Sequence, residues 1–394
     1  MDKVDEQNNQ NLIPYKPSSE LIKRGIEDLI FLSNRTSRVL NVPLEYETIQ
    51  SAVDASKPGD IIKISSGKYK LNLSIEKSII LRASEPDVEL FPEMEGEPIL
   101  SVENAGCKII IENILFTCEK ESPINKKVGI KILNGSVALI NCKFSEFDVI
   151  PNGTLPDTEE FWENFIWSAI YIDGEKSELE MNNCEFRSCN TVITSKGGAH
   201  LIIANCDLND CECGLSIDQS IVSLKKNNFF NVDYPFNISP FSSLYSNEDT
   251  FYKTGAFICG AHLHNNFLDF VHCTILSDVL LNLLLGDNEY YIDSQGSWNL
   301  QGSIVNLKDC ILVLSTEEPS FRYARQYSGI SDVSGKSVIF VIRAEGNNLF
   351  YIPPNYTQQW PNFSLRQNNR LTLLPDSPAL QAASDGTNLG AWQG

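Results

Sequence analysis

Two aspartates carry the first chemistry legible in this chain. Asp173 closes the string "AIYID" and Asp218 closes "GLSID". An acid and a base held roughly 6.5–9.5 Å apart, with a water between them, can cleave a glycosidic bond with inversion. Lys131 and Tyr171 could orient a sugar beside such a pair, and Trp162, Trp167, Tyr234 and Tyr252 offer rings for it to stack on. The plainer reading is that Asp173 before Gly174 and Asp218 before Gln219 simply open turns, as Asp commonly does. Three further groups are weaker. His262 and His264 with His272 have the spacing of metal ligands, but His272 fits a turn hydrogen bond better, so no metal and no cofactor are expected. Arg322, Tyr323 and Arg325 could clamp an anion from a loop. Cys142, Cys184 and Cys206 recur at equal places and read as a ladder of thiols filling core slots.

The elements that must position these residues repeat. "VALINCKF", "LEMNNCEF", "LIIANCDL" and "VSLKKNNF" carry Asn141, Asn183, Asn205 and Lys226 at one position. An earlier copy holds Asn113, and later ones hold His272, Asp309 and Asn347. A fixed repeat signals stacked supersecondary units, and alternating apolar residues make each unit strand-like. Short strands in units of about 22 residues, as from Asn183 to Asn205, make the coils of a parallel β-helix. Aligned on the Asn position, the preceding strands put Ile130, Ile132, Ile170, Ile172, Val192, Thr194, Leu215 and Ile217 inward. Lys131, Tyr171, Ile193 and Ser216 then face out, followed by Leu133, Asp173, Ser195 and Asp218. Asp173 and Asp218 fall two coils apart, with backbones about 10 Å from each other.

In chain order, residues 1–17 read as a disordered lead. Residues 18–35 form an amphipathic helix that carries Leu21, Ile22, Ile26, Leu29 and Ile30 on one face. That helix is expected to cap the first coil, with a partner protein as the rival occupant of its apolar face. A short helix over Ile49, Ala52 and Val53 follows, and residues 36–394 make the solenoid. Four segments break the rhythm, at about 148–168, 233–255, 277–303 and 313–336, and are expected to emerge from one edge as binding walls.

The opening "TIQSAVDASKPGDIIKISSGKY" through "KSIIL" resembles the start of right-handed parallel β-helix proteins of the pectin-lyase-like superfamily. The tail "SPALQAASDGTNLGAW" is similar to the end of many of its bacterial members. The resemblance implies an all-β, right-handed parallel β-helix with a capping helix, a fold that hosts lyases, hydrolases, esterases, binding modules and scaffolds. It also implies that any catalytic carboxylates lie on the strand carrying Asp173 and Asp218. The catalytic signatures of the polygalacturonases, pectin methylesterases, mannuronan epimerases and calcium-dependent pectate lyases are missing.

Composition narrows the function classes. With 31 basic against 51 acidic residues the chain carries −20, which disfavours nucleic acid, anionic membrane and polyanionic glycans as partners. No secretory leader or membrane span is apparent, and the odd count of 11 cysteines argues against a disulfide framework, so a cytoplasmic protein is expected. Two functions stay open. One is a non-catalytic binding or scaffold β-helix presenting a loop-rimmed strand face to a glycan or protein. The other is a carbohydrate-active hydrolase or lyase using Asp173 and Asp218.

Overall fold

The computed structural model describes residues 37–94, 96–104, 106–118, 127–147, 167–260, 265–283, 304–315, 333–336, 338–343, 356–357, 363–365, 371–381, 383, 385–388 and 390. They form a parallel β-helix. Twelve strands, from Val39–Val42 to Val333–Lys336, stack into one long sheet that is the first face of every coil. A seventeen-stranded sheet supplies the second face, for example Lys143–Phe147, and the third, for example Trp167–Asp173.

The recurring Asn makes the corner between the first and second faces. Asn113, Asn141, Asn183 and Asn205 adopt φ between 53° and 59°, a left-handed conformation that Asn tolerates better than most residues. Each corner N–H donates to a carbonyl of the next coil, as Asn183 does to Ala204 at 3.1 Å. The side chains then bond one another: Asn141 Nδ2 donates to Asn113 Oδ1 at 3.1 Å, and Asn183 Nδ2 to Asn141 Oδ1 at 2.7 Å. A single amide at a fixed offset therefore satisfies the corner and links coil to coil.

Inside, equal positions stack at the strand spacing. The rings of Phe116, Phe144 and Phe186 lie 4.8 Å apart and nearly parallel. The residue after each corner points inward, giving the thiol ladder Cys142, Cys184 and Cys206, all buried and unbridged. Burial raises the Cys142 thiol well above its ordinary value. The ladder continues through Asn227 and Asp249 before returning to Cys273 and Cys310.

Two expectations about the loops are corrected. Residues 233–255 are not an insertion but a regular coil, built from strands Asn228–Ile238, Ser243–Asn247 and Thr250–Gly260. Its corner is Glu248, with φ 59°. Glu in place of Asn, with polar Ser246 and Asp249 at inward positions, hides the repeat. Nor do the interruptions share an edge. Residues 148–166 lie between a second-face and a third-face strand, whereas 284–303 lie between a third-face and a first-face strand. These two segments, residues 316–332 and the copy around Asn347 lie outside the described residues.

The two ends are closed differently. At the start, Ile49–Ala55 is a helix with Thr48 and Ser51 forming a capping box, and Ile49, Ala52 and Val53 sink into the core. Lys77 Nζ donates to the carbonyls of Val53, Asp54 and Ser56, neutralising the helix end. This helix packs on the core of the first coil, and the cap expected of residues 18–35 lies outside the described residues. Near the other end, residues 371–390 fold back onto the second face. Leu373, Ala379 and Ala383 pack on Ile311, with Leu276 and Leu380 beside them. The Gly390 N–H donates to Asp309 O at 3.0 Å, and His272 Nε2 meets Asp385 at 3.3 Å. His272 therefore serves as a corner, with φ 52°, and a tail contact.

Candidate functional site

The third face carries the residues singled out for chemistry, with one shift of register. Ile193 pairs with Ile170 and Leu215, and Ser195 pairs with Ile172 and Ile217. Ile193 and Ser195 are each 1% exposed, so they point inward, while Thr194 and Lys196 point outward. The expected inward placement of Thr194 is therefore wrong by one residue, and a one-residue slip reverses every side chain that follows it. Keeping Ile193 in line with Ile170 and Leu215 preserves an apolar stack. The cost is Ser195 in the core, where its hydroxyl donates to the Ser216 carbonyl at 3.3 Å.

That slip changes the meaning of the aspartate pair. Asp173 pairs with Lys196, and the Asp218 N–H donates to the Ser195 carbonyl, so the outward order along the solenoid is Asp173, Lys196, Asp218. Lys196 thus lies in register between the two aspartates. Asp173 is also held in place. The Tyr171 hydroxyl donates to Asp173 Oδ2 at 3.1 Å. Burial, reinforced by the Asp173 charge, pushes the Tyr171 hydroxyl up to about 12, so it remains a donor at neutral pH. Gly197, at φ 62°, lies against the other carboxylate oxygen, and a Cβ there would land on it. The Asp173 carbonyl accepts from Ser177 Oγ, and the Asp218 carbonyl accepts from Ser220 Oγ at 2.9 Å. Both aspartates thus open turns into the first face.

The other expected residues are scattered. Lys131 is Tyr171's neighbour in register and forms an ion pair with Glu103 at 3.1 Å. Tyr234 begins its third-face stretch, half-buried and in register with Cys213. Tyr252 is on the second face instead, with its ring 5.6 Å from Phe230 and Lys253 Nζ above both rings. It cannot flank the same ligand as Tyr171. Trp167 opens its strand, but its side chain, like Trp162, His262, His264, Arg322, Tyr323 and Arg325, lies outside the described residues. Among the described residues no cluster of three or more His, Cys, Asp or Glu could hold a metal. No helix among them is long and apolar enough to cross a membrane.

Two further features of this face emerge from the register. The first is the outward column Tyr171, Thr194, Ser216 and Asn237, one residue per coil, which bears hydroxyl and amide groups and no charge. All but the exposed Asn237 are half-exposed. The second is a carboxylate pair on adjacent coils. Cys211 pairs with Val232 and Cys213 with Tyr234, which sets Glu212 directly beside Asp233. Asn190 Nδ2 donates to Glu212. Burial, and then the Asp233 charge, raises the Glu212 carboxyl above its ordinary value. The signal was present in the sequence: Asn190, Glu212 and Asp233 each follow their corner residue by seven.

No family model matches the chain, and no curated protein does. Among solved structures it is similar to a PL6 family alginate lyase, AlyGC, at 11% identity and a TM-score of 0.36. An arginine-to-alanine mutant of that lyase gives 10% and 0.38. Each alignment covers 91% of this chain and 59% of the lyase, so the chain spans about three fifths of the length of those enzymes. At that level the likeness reaches no residue and no activity.

Proposed function

We propose that this protein is a binding β-helix that presents its third face to a neutral glycan. The observation that carries the reading is the uncharged column Tyr171, Thr194, Ser216 and Asn237. Its donors and acceptors repeat at the strand spacing of about 4.8 Å, comparable to the advance of a sugar chain per residue. A net charge of −20 supports a neutral ligand over an acidic one. Lys196, in register between Asp173 and Asp218, argues against their working as a water-activating pair, because the two aspartates are not consecutive in the outward column. The expected result on a glycan array is retention of neutral polysaccharides, lost at least tenfold in Thr194→Arg and Ser216→Arg. Asp173→Asn and Asp218→Asn should leave it unchanged. Release of reducing or unsaturated sugar ends that disappears in either aspartate variant would overturn the reading.

A carbohydrate-active enzyme is the second reading, and one observation favours it at a different place. Glu212, its carboxyl raised by burial and by its neighbour Asp233, is a candidate acid set beside a second carboxyl group. Turnover abolished by Glu212→Gln, with the two other aspartates indifferent, would select it.

A further inference from the structure

The outer side of the first face carries an apolar stripe that the solenoid does not explain. Ile61, Ile80, Ile110 and Ala138 are paired in register across consecutive coils. They alternate with Ile62, Leu81, Ile111 and Leu139, which fill the core, so the stripe faces away from it. Yet Ile80, Ile110 and Ala138 are each only 2% exposed. Further along the same outward column, Glu180 and Ile202 are half-exposed. Ser223 and Tyr245, next in the column, are buried again, so the sheet leaves open only the middle of it, at Glu180 and Ile202. Among the described residues, the apolar side chains packed on the trio are Ile61 and Ile140, both from the same side of the same sheet.

We infer that the stripe is the docking surface for residues 18–35 of this chain, laid across the strands as an amphipathic helix. Three observations select this occupant. The described chain begins at Ser37 and enters the first-face sheet at Val39, at the stripe's own end. Residues 18–35 as a helix would reach about 27 Å, enough to cross the stripe. The stripe from Val39–Val42 to Ser136–Ile140 crosses five strands, or about 19 Å. The remaining role for such a helix, closing the first coil, is already filled by Ile49–Ala55. The apolar set Leu21, Ile22, Ile26, Leu29 and Ile30 would meet Ile61, Ile80, Ile110, Ala138 and Ile140, turning Glu20, Lys23, Glu27 and Asp28 outward. The segment thus shields an apolar face that would otherwise be open to a second copy or another protein.

A photo-crosslinking residue at Ile26 in the full chain tests the placement. Adducts are expected within the same molecule on strands Ile80–Ala83, Lys108–Glu112 and Ser136–Ile140. Adducts on helix Ile49–Ala55 would restore the end cap and overturn the inference; adducts between two molecules would make a second copy the occupant. Trypsin cleavage after Lys23 and Arg24 gives an independent readout. The wild-type chain should be cut at least tenfold more slowly than a free peptide of residues 15–38, and Ala138→Glu should remove most of that protection. Wild-type cleavage at the peptide's rate would also overturn it.

Discussion

Asp249 occupies a position that Asn227 holds in the preceding coil and Cys273 in the next. It is fully buried, its Oδ1 accepts from the Asn227 N–H at 2.6 Å and from Asn227 Nδ2 at 3.0 Å, and its Oδ2 accepts from Ser246 Oγ at 2.6 Å. Burial raises the carboxyl to about 7, against which these hydrogen bonds pull only partly. An acid that holds its proton more tightly folded than unfolded makes stability fall as pH rises from its unfolded value of 3.8 to about 7, and stay low above that. The penalty at neutral pH is on the order of a few kcal/mol. Asp249→Asn can keep the bonds, since its amide nitrogen can donate to the Ser246 hydroxyl. The variant is expected to melt higher than wild type at pH 8, with the difference shrinking towards pH 4. Thermal scans across that range check it, and a constant difference at all pH values would contradict it.

The tail and the corners act at the scale of elements. Residues 371–390 add no strand to the solenoid's two sheets and attach sideways through Ile311, Leu373, Ala379 and Ala383. Ala379→Glu places a charge at a position with no exposure, which detaches the clasp at less cost than keeping the charge buried. Hydrogen exchange at the Gly390 N–H, now bonded to Asp309 O, is expected to speed up at least tenfold. Exchange in strand Ile80–Ala83 should be unchanged. Corner chemistry was legible wherever Asn stood at the corner, because few other residues accept φ near 55°. It was illegible at Glu248, which adopts φ 59° without an amide side chain. There the neighbouring coils impose the conformation: the Glu248 N–H donates to Val271 O, and Glu248 takes the Lys226 ammonium at 3.5 Å.

The whole molecule is a stack in which each coil touches mainly the next. Removing one ring from the Phe116, Phe144, Phe186 column opens a cavity that neighbours cannot refill, since each is fixed at the strand spacing. Phe186→Ala should cost about 3–5 kcal/mol. Because a solenoid's coils are coupled only to their neighbours, the loss should also broaden the urea transition and lower its slope. An unchanged slope would show that the stack unfolds as a single unit.

Sequence by itself determined the coil: its period, its Asn corner, its inward thiols and aromatics, and the short helix over Ile49, Ala52 and Val53. These follow from local conformation and side-chain alternation, which each repeat states again. Two outcomes belonged to the tertiary structure: the register that inserts Lys196 between Asp173 and Asp218, and the sideways docking of the tail. The first of these depends on which residue of one coil lies over which residue of the next. That choice is set by packing Ile193 between Ile170 and Leu215, an energy that no single repeat contains.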